Sequence, residues 1–436
     1  MKQSTCSMQK KEPLVLCADL GTSSIKTALI TNTGAVLSFY RVPFNKANRS
    51  NRWYFALLEA SKQLVGEIPS TSKYFIAAIS ISGNGPSIVN DNFSYIWNEP
   101  LSPVVTKKLE NAAKQGNPCK SIFIPRFMHI QETMPKIWNT ACNPNPDIPT
   151  ANRLFSLPEY LVYQLTGNAH TSLPEERYVD AYWTPKSLIE FGLQTKNTQP
   201  KLPSFKTITK DFGHLTEKAT KELSIPYSQP KIPVFCTGPD FIAALLGTAN
   251  VQPGKICDRA GTSEGINLCT TIPFSDKTIR TLPSPISNLW NASCIIPDSG
   301  LRFSHQKHHD TKDPDYTKYV HSLLSKPKST GYLLMKEIAH EIKENIDYLE
   351  KITIQNNLPF GKIQCTGGQS KNPEWMQFKA TILNRPLHVP LCKDSELIGC
   401  AVVAFTALGY YNSITEAATS LVKEGTVYYP QKEKDL

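Results

Sequence analysis

Residues Leu14 to Ile30 read LVLCADLGTSSIKTALI. An apolar run, Leu14 to Ala18, delivers Asp19 to a tight Gly21-Thr22-Ser23-Ser24 turn, and Ile25 to Ile30 reads as a second strand returning along the first. Such a loop can aim backbone N–H groups and short hydroxyls at a phosphate. Asp19 stands where it could hold Mg²⁺ directly or through water, with Lys26 as a nearby cation. Taken alone, the stretch reads equally as an ordinary hairpin turn with an acid at its mouth.

Working outward, Thr31 to Gly34 is a turn, Ala35 to Val42 a third strand and Trp53 to Ile68 a helix with Leu57, Leu58, Leu64 and Val65 on one face. Tyr74 to Ser82 is a mostly apolar strand running into Gly83-Asn84-Gly85-Pro86. This order predicts a mixed α/β domain with its loops gathered at one end of the sheet, where ligands bind. Glu99 to Thr150 is weakly periodic apart from a helix around Arg126 to Trp138, and Leu154 to Leu165 reads as an amphipathic helix closed by Thr166-Gly167. Lys201 to Pro230 reads as loops and short helices. Lys231 to Gly238 is a strand leading into Pro239-Asp240, Phe241 to Gly247 a buried helix, and Gln252-Pro253-Gly254 a turn.

The opening pattern then recurs. Lys255 to Ala260 is a short strand, Gly261-Thr262-Ser263 a tight loop and Ile266 to Thr270 a returning strand, so Gly-Thr-Ser stands at both 21–23 and 261–263. The later strand ending in SGNG at Ser82 to Gly85 is matched by Gly361 to Cys365 ending in TGGQS at Thr366 to Ser370. An internal duplication is expected, with domains at 1–250 and 251–436 and a cleft between them. The length of 436 residues exceeds what one hydrophobic core usually serves. In the second half, Pro273 to Ser329 reads as the least regular part, with a solvated loop at HQKHHD (His305, His308, His309, Asp310) that has metal-binding residue types. Tyr332 to Leu349 reads as a helix burying Leu333, Leu334, Ile338, Ile342, Ile346 and Leu349, followed by helices at Asn372 to Leu383 and Glu396 to Leu408. The tail from Gln431 is charged and expected to fray.

Composition narrows the class. The net charge of +10 is spread along the chain rather than concentrated, so nucleic acid is not called for; a mild attraction for anionic small molecules is enough. No apolar run is long enough to span a bilayer and the polar N-terminus lacks the apolar core of a signal peptide, which places the protein in the cytoplasm with no membrane partner. The 11 cysteines include no C-x-x-C pair, and are expected to be reduced and mostly packed in the core. A homodimer is allowed.

Two nucleotide motifs are near misses. Gly247 to Lys255 lacks the P-loop spacing and its Ser/Thr, and Gly83 to Ile88 lacks the third glycine of a dinucleotide fingerprint. Gly261 to Gly265 matches G-x-S-x-G, which would make Ser263 a hydrolase nucleophile, but the helix that motif requires is replaced by the strand-like INLCTTIP. Two phosphate loops with acids nearby are suited to phosphoryl transfer, which depends on positioning and charge neutralisation. Asp240 is then the candidate base; it also reads as the N-cap of the helix that follows.

These residues together resemble the FGGY carbohydrate kinases, the actin-like ATPase family that includes xylulose, glycerol, gluconate and ribulose kinases. Asp19-Leu20-Gly21-Thr22-Ser23-Ser24 with Lys26 resembles the first phosphate motif, Gly238-Pro239-Asp240 the catalytic-aspartate loop, and Ala260-Gly261-Thr262-Ser263 the second phosphate motif. Cys365 to Ser370, with Gly367, Gly368, Gln369, Asn372 and Trp375, resembles the adenosine motif, and Glu396 to Ala401 the small-residue helix behind it. SLPEYLVYQLTG at Ser156 to Gly167 is similar to a structural segment of the family. The resemblance implies two actin-like, ribonuclease H-like α/β domains, with a small sugar or polyol bound mainly by the first and ATP with Mg²⁺ mainly by the second.

It also implies sugar contacts at Asn84, at a Trp-x-Asp motif reading Trp97-Asn98-Glu99 here, and at Asp240. Glu99 is one methylene longer than the family's Asp, and Pro100 stands where an Arg often follows. The family's Gly-Glu-Arg-x-Pro segment has no counterpart between Cys269 and Gly331, so the second domain is shortened around 270–331. The expected activity is ATP-dependent phosphorylation of a sugar or polyol hydroxyl, a pentulose such as xylulose first. A degenerate, non-catalytic sugar- or nucleotide-binding relative is the alternative.

Overall fold

The computed structural model describes residues 11–44, 52–69, 73–143, 153–196, 198–226 and 231–432. The polar N-terminal stretch before residue 11, part of the weakly periodic 99–150 segment and the tail beyond 432 lie outside them. The chain forms two compact units. One gathers the described residues up to Asp240 together with Val403–Asn412; the other takes Phe241–Val402 and continues from Ser413.

The first unit is built on a five-stranded sheet. Its strands are β1 (Glu12–Leu20), β2 (Ser24–Thr31), β3 (Val36–Pro43), β4 (Tyr74–Gly83) and β5 (Val234–Pro239), in the order β5-β4-β1-β2-β3. β1, β4 and β5 run parallel, while β2 and β3 are antiparallel meander strands. β1 and β2 are buried on both faces, which is why β1 reads as a continuous apolar run rather than as an alternation. Helix α1 (Arg52–Gly66) buries Trp53, Leu57, Ala60 and Leu64 against the sheet. Helix α2 (Leu157–Thr166) is buried nearly all round rather than amphipathic, and ends where Gly167 takes a φ of 76° and donates its N–H to Tyr163 O at 2.7 Å.

The second unit opens with α3 (Asp240–Gly247), whose first residue belongs to the first unit. Its sheet has seven strands: β6 (Ile256–Ala260), β7 (Glu264–Thr270), β8 (Arg280–Pro283), β9 (Trp290–Ile296), β10 (Ile363–Gly367), β11 (Leu387–Pro390) and β12 (Glu424–Tyr428). The order is β8-β9-β7-β6-β10-β11-β12. The inner five, β9-β7-β6-β10-β11, repeat β3-β2-β1-β4-β5 in order and direction, an antiparallel meander on one side and two parallel strands on the other. The duplication expected from the two Gly-Thr-Ser loops is therefore present in the topology. Helices α4 (Ser299–Asp310), α5 (Tyr316–Leu324), α6 (Thr330–Gln355), α7 (Pro373–Leu383) and α8 (Ser395–Ala407) complete the elements that bear on the site.

Several expectations need correction. Residues 99–143 hold three helices, Pro103–Lys114, Ile124–Thr133 and Pro135–Cys142, instead of one at 126–138. The first buries only Val105 and so carries almost no apolar period, although Ser102 caps it; the other two break at Met134 because Pro135 disfavours helical geometry in the residue before it. Residues 273–329 are regular, carrying β8, β9, α4 and α5. β9 exists through its pairing with β7, a long-range contact that no local pattern announces. His305, His308 and His309 lie on α4 rather than in a loop, and among the described residues no group of three His, Cys, Asp or Glu is arranged to hold a metal. Leu333 is 55% exposed instead of buried. The described cysteines are all free and most are buried. Among the described residues no helix is long and apolar enough to cross a membrane.

Candidate active site

In the first unit the three parallel strands end together. The register sets Asp19 beside Ser82, Ser82 beside Gly238 and Gly83 beside Pro239, so Asp19, the Asn84 loop and Asp240 emerge at one end of the sheet. Asp19 is 3% exposed; its Oδ1 accepts from Ser82 Oγ at 3.2 Å, and its Oδ2 lies 3.5 Å from Lys26 Nζ, the residue opposite it in the hairpin. Gly21 donates its N–H to Ser24 O at 3.0 Å, closing a turn on which Thr22 and Ser23 stand exposed.

The candidate acceptor-binding residues are tied to that turn. Asn84 donates its N–H to Leu20 O at 2.8 Å, and Ser87 Oγ donates to Asn84 Oδ1 at 2.6 Å. Trp97 donates its backbone N–H to Ser87 Oγ and its indole N–H to Thr22 Oγ1, each at 3.0 Å. Glu99 folds its carboxylate back onto the Ile96 N–H at 3.2 Å. The residue that shapes this segment is Arg126, which sequence reasoning missed. It donates to the carbonyls of Trp97 and of Glu99, the latter at 2.6 Å, and lies 4.7 Å over the Tyr95 ring. An arginine thus supports the Trp97–Glu99 segment although Pro100 holds the usual position. It comes from a helix 27 residues further on, beyond the reach of any local motif.

Asp240, half-buried, is the first residue of α3. The strand before it turns at Gly238, where φ is +81° and a Cβ would stand 2.5 Å from Ser172 Oγ. Ser172 is itself held by the buried Glu159, which accepts from its N–H at 3.0 Å and from its hydroxyl. Burial raises the Glu159 carboxyl above the ordinary range.

In the second unit, Gly261 donates its N–H to Ser263 O at 2.8 Å and Thr262 O accepts the Leu301 N–H at 3.1 Å, so the loop leans on the first turn of α4. Ala260 pairs with Gly367, which brings the Gly261–Ser263 and Gly367–Gly368 loops to adjacent strand ends. Gly367 has a φ of +93° and Gly368 donates its N–H to Ala260 O at 3.0 Å. Gln369 Oε1 is buried without a partner. Asn372 caps α7, its Oδ1 accepting the Trp375 N–H at 3.1 Å. The small residues of α8 allow close approach to α3: a Cβ on Gly399 would fall 1.9 Å from Ala243 O. Ser263 lies between two antiparallel strands, so the helix a nucleophile elbow needs is absent.

Comparison with known proteins agrees with this arrangement. The C-terminal domain model of the FGGY family of carbohydrate kinases matches residues 335–408. The xylulose kinase of Staphylococcus xylosus is 22% identical over 494 aligned residues, covering 95% of each chain. In solved structures, the ligand-bound xylulose kinase of Lactobacillus acidophilus superposes with a TM-score of 0.74 at 16% identity, over 96% of this chain and 94% of its own. Plasmodium falciparum glycerol kinase with ADP also gives 0.74 at 16% identity, over 98% and 95%. Motif order, the repeated sheet and these matches converge: the chain has the two-domain fold of the FGGY carbohydrate kinases and carries a match to that family's C-terminal domain over residues 335–408.

Proposed function

We propose that the protein transfers the terminal phosphate of ATP to a hydroxyl of a small sugar or polyol, with a pentulose such as xylulose as the first candidate. The observation that carries this reading is the register of β1, β4 and β5, which brings Asp19, Asn84 and Asp240 to one end of the first sheet. Asp240 accepts the proton of the attacking hydroxyl, and Asn84, Trp97 and Glu99 with its segment orient the acceptor. The turn Gly21–Ser23 and Lys26 offer N–H, hydroxyl and ammonium donors to the transferring phosphate. Gly261, Thr262 and Ser263 offer the same to the phosphates of the nucleotide that stay behind. Gly367 and Gly368 let the backbone approach adenosine, and Asn372 fixes that loop as the cap of α7. Gln369 Oε1 is a buried acceptor that an adenosine donor would satisfy.

Mg²⁺ fits the residues present. Asp19 is a single carboxylate at a strand end, bonded to the Ser82 hydroxyl and 3.5 Å from the Lys26 ammonium, the sparse protein contribution this ion accepts when phosphates supply its other ligands. When bound there it would neutralise phosphate charge. Xylulose is favoured because relatives of that name match along nearly the whole chain, whereas the Salmonella paratyphi B autoinducer-2 kinase matches 51% of it. The 270–331 region, which has no Gly-Glu-Arg-x-Pro segment, supplies β9 to the second sheet.

The test is an ADP-release assay with MgATP over pentuloses, pentitols, glycerol and hexonates, beside calorimetric titration with ATP. Turnover on a pentulose is expected. ATP binding with no ADP release on any acceptor would make the protein a non-catalytic relative.

A further inference from the structure

Beneath the Gly261–Ser263 loop lies a group of ionisable side chains that the proposed reaction leaves unused. Lys379 on α7 is 1% exposed, and Asp258 on β6 and Glu264 on β7 are fully buried. Lys379 Nζ donates to Asp258 Oδ2 and, at 2.5 Å, to Glu264 Oε1. Cys365 Sγ donates to Asp258 Oδ2 at 3.5 Å. Asp258 Oδ1 and Glu264 Oε2 are buried with no hydrogen-bond partner.

Position gives this cluster its meaning. Glu264 directly follows Ser263, and Asp258 stands two residues before Ala260, so the carboxylates sit on the two strands that hold the loop. Lys379 reaches both and ties the hairpin together at its neck. One ammonium cannot balance two buried carboxylates, and burial of the unbalanced charge favours a proton on Glu264. With that proton the cluster is neutral, one ammonium against one carboxylate. Without it a net negative charge is buried behind a loop that must accept an anion, in surroundings that screen it poorly.

We propose that Lys379, Asp258 and Glu264 are positioning residues for the second phosphate loop, and that charge balance among the three is required for the loop to hold nucleotide phosphate. The inference rests on the reading of Gly261–Ser263 as that loop. Among the described residues, the groups facing Glu264 from the packed strands and helix are Asp258, Cys365 and Lys379. Burial pushes Glu264 up to about 8, and burial also keeps the Cys365 thiol neutral. The sign follows: below about pH 8 the cluster is neutral, and above it a negative charge appears and opposes phosphate.

The experiment is titration of ATP into the full-length protein from pH 6.5 to 9.5, in buffers of different ionisation enthalpy. Wild-type affinity should weaken about tenfold from pH 7 to pH 9, with proton uptake on binding at the alkaline end. In Glu264→Gln, which cannot titrate, both the slope and the proton uptake should vanish. Lys379→Met, which leaves the carboxyl groups without their cation, should weaken ATP at every pH. A wild-type profile that is flat while ATP still binds would overturn the inference and leave the loop reading standing. The same slope in wild type and Glu264→Gln would also overturn it. Absence of ATP binding at every pH would remove the loop reading and the inference together. The wild-type measurement stands by itself if a variant fails to fold.

Discussion

Replacing Gly367 by Ala should damage both the second unit and the nucleotide site proposed there, whereas the same change at Gly368 should not damage the fold. A Cβ on Gly367 would lie 2.0 Å from Ala260 O, so the backbone would have to give by about 1.4 Å to reach the 3.4 Å of ordinary contact. Gly367 also has a φ of +93°, a conformation that costs a residue with a side chain about 1–2 kcal/mol. Strain and displacement together should remove about 3 kcal/mol of stability, a substantial part of a typical total. For a unit of this size that corresponds to a fall in Tm of roughly 6–12 °C. Ala260 immediately precedes Gly261 and accepts the Gly368 N–H, so the displacement would move both loops at once. Gly368 has helical backbone angles, and a Cβ there meets nothing within 4 Å. Gly368→Ala should therefore melt within about 2 °C of wild type while still weakening ATP, because its methyl would occupy space the nucleotide approaches. Thermal melts and initial rates at varied ATP and varied acceptor separate the effects. Equal Tm values for wild type and Gly367→Ala, with an unchanged KM for ATP, would refute the close approach of Gly367 to Ala260.

Three further outcomes are expected. Asp240→Asn should keep the fold, since Asn serves as well at a helix start, and lower kcat by about 10² to 10⁴; near-normal turnover would remove Asp240 as the base. Arg126→Ala loses charge-assisted hydrogen bonds to the Trp97 and Glu99 carbonyls, typically about 1.5–3 kcal/mol each. It should raise the KM of the acceptor by at least about tenfold and leave the KM of ATP alone, and an equal rise in both would contradict a local role. Glu159 binds its proton more tightly in the folded protein than in the unfolded chain, because burial raises it. Its contribution to stability is therefore present below the ordinary carboxylate range and lost as pH rises through the raised value. Melting curves from pH 5 to pH 9 should show that alkaline loss in wild type and a flatter profile in Glu159→Gln; parallel profiles would refute it.

Most of the repeated sheet was legible because its signals are local. β1 is an apolar run joined by a Gly-Thr-Ser turn to a returning strand, and β6 and β7 repeat that turn, so both hairpins could be placed to within a residue or two. Asp240 was legible as the cap between a strand and a helix at Phe241 to Gly247, and the structure begins that helix one residue earlier, at Asp240 itself. β9 and α4 were not, because a strand that exists by pairing with β7 and a polar helix with few buried residues leave little periodic trace. Arg126 was invisible for a different reason: it meets Trp97 and Glu99 only when separate elements fold together.

By itself the sequence determined the two Gly-Thr-Ser hairpin turns, their order and the acids beside them, since turn chemistry and hydrophobic period act over a few residues. Only the tertiary structure decided which of those residues share a neighbourhood. Register between parallel strands set Asp19 and Asp240 at one sheet end, and burial joined Lys379 to carboxylates 121 and 115 positions earlier in the chain. The physical reason is the same in both cases. A charge or a carboxyl proton acquires its strength from the groups and the dielectric around it, and those are fixed by packing between segments that are remote in sequence.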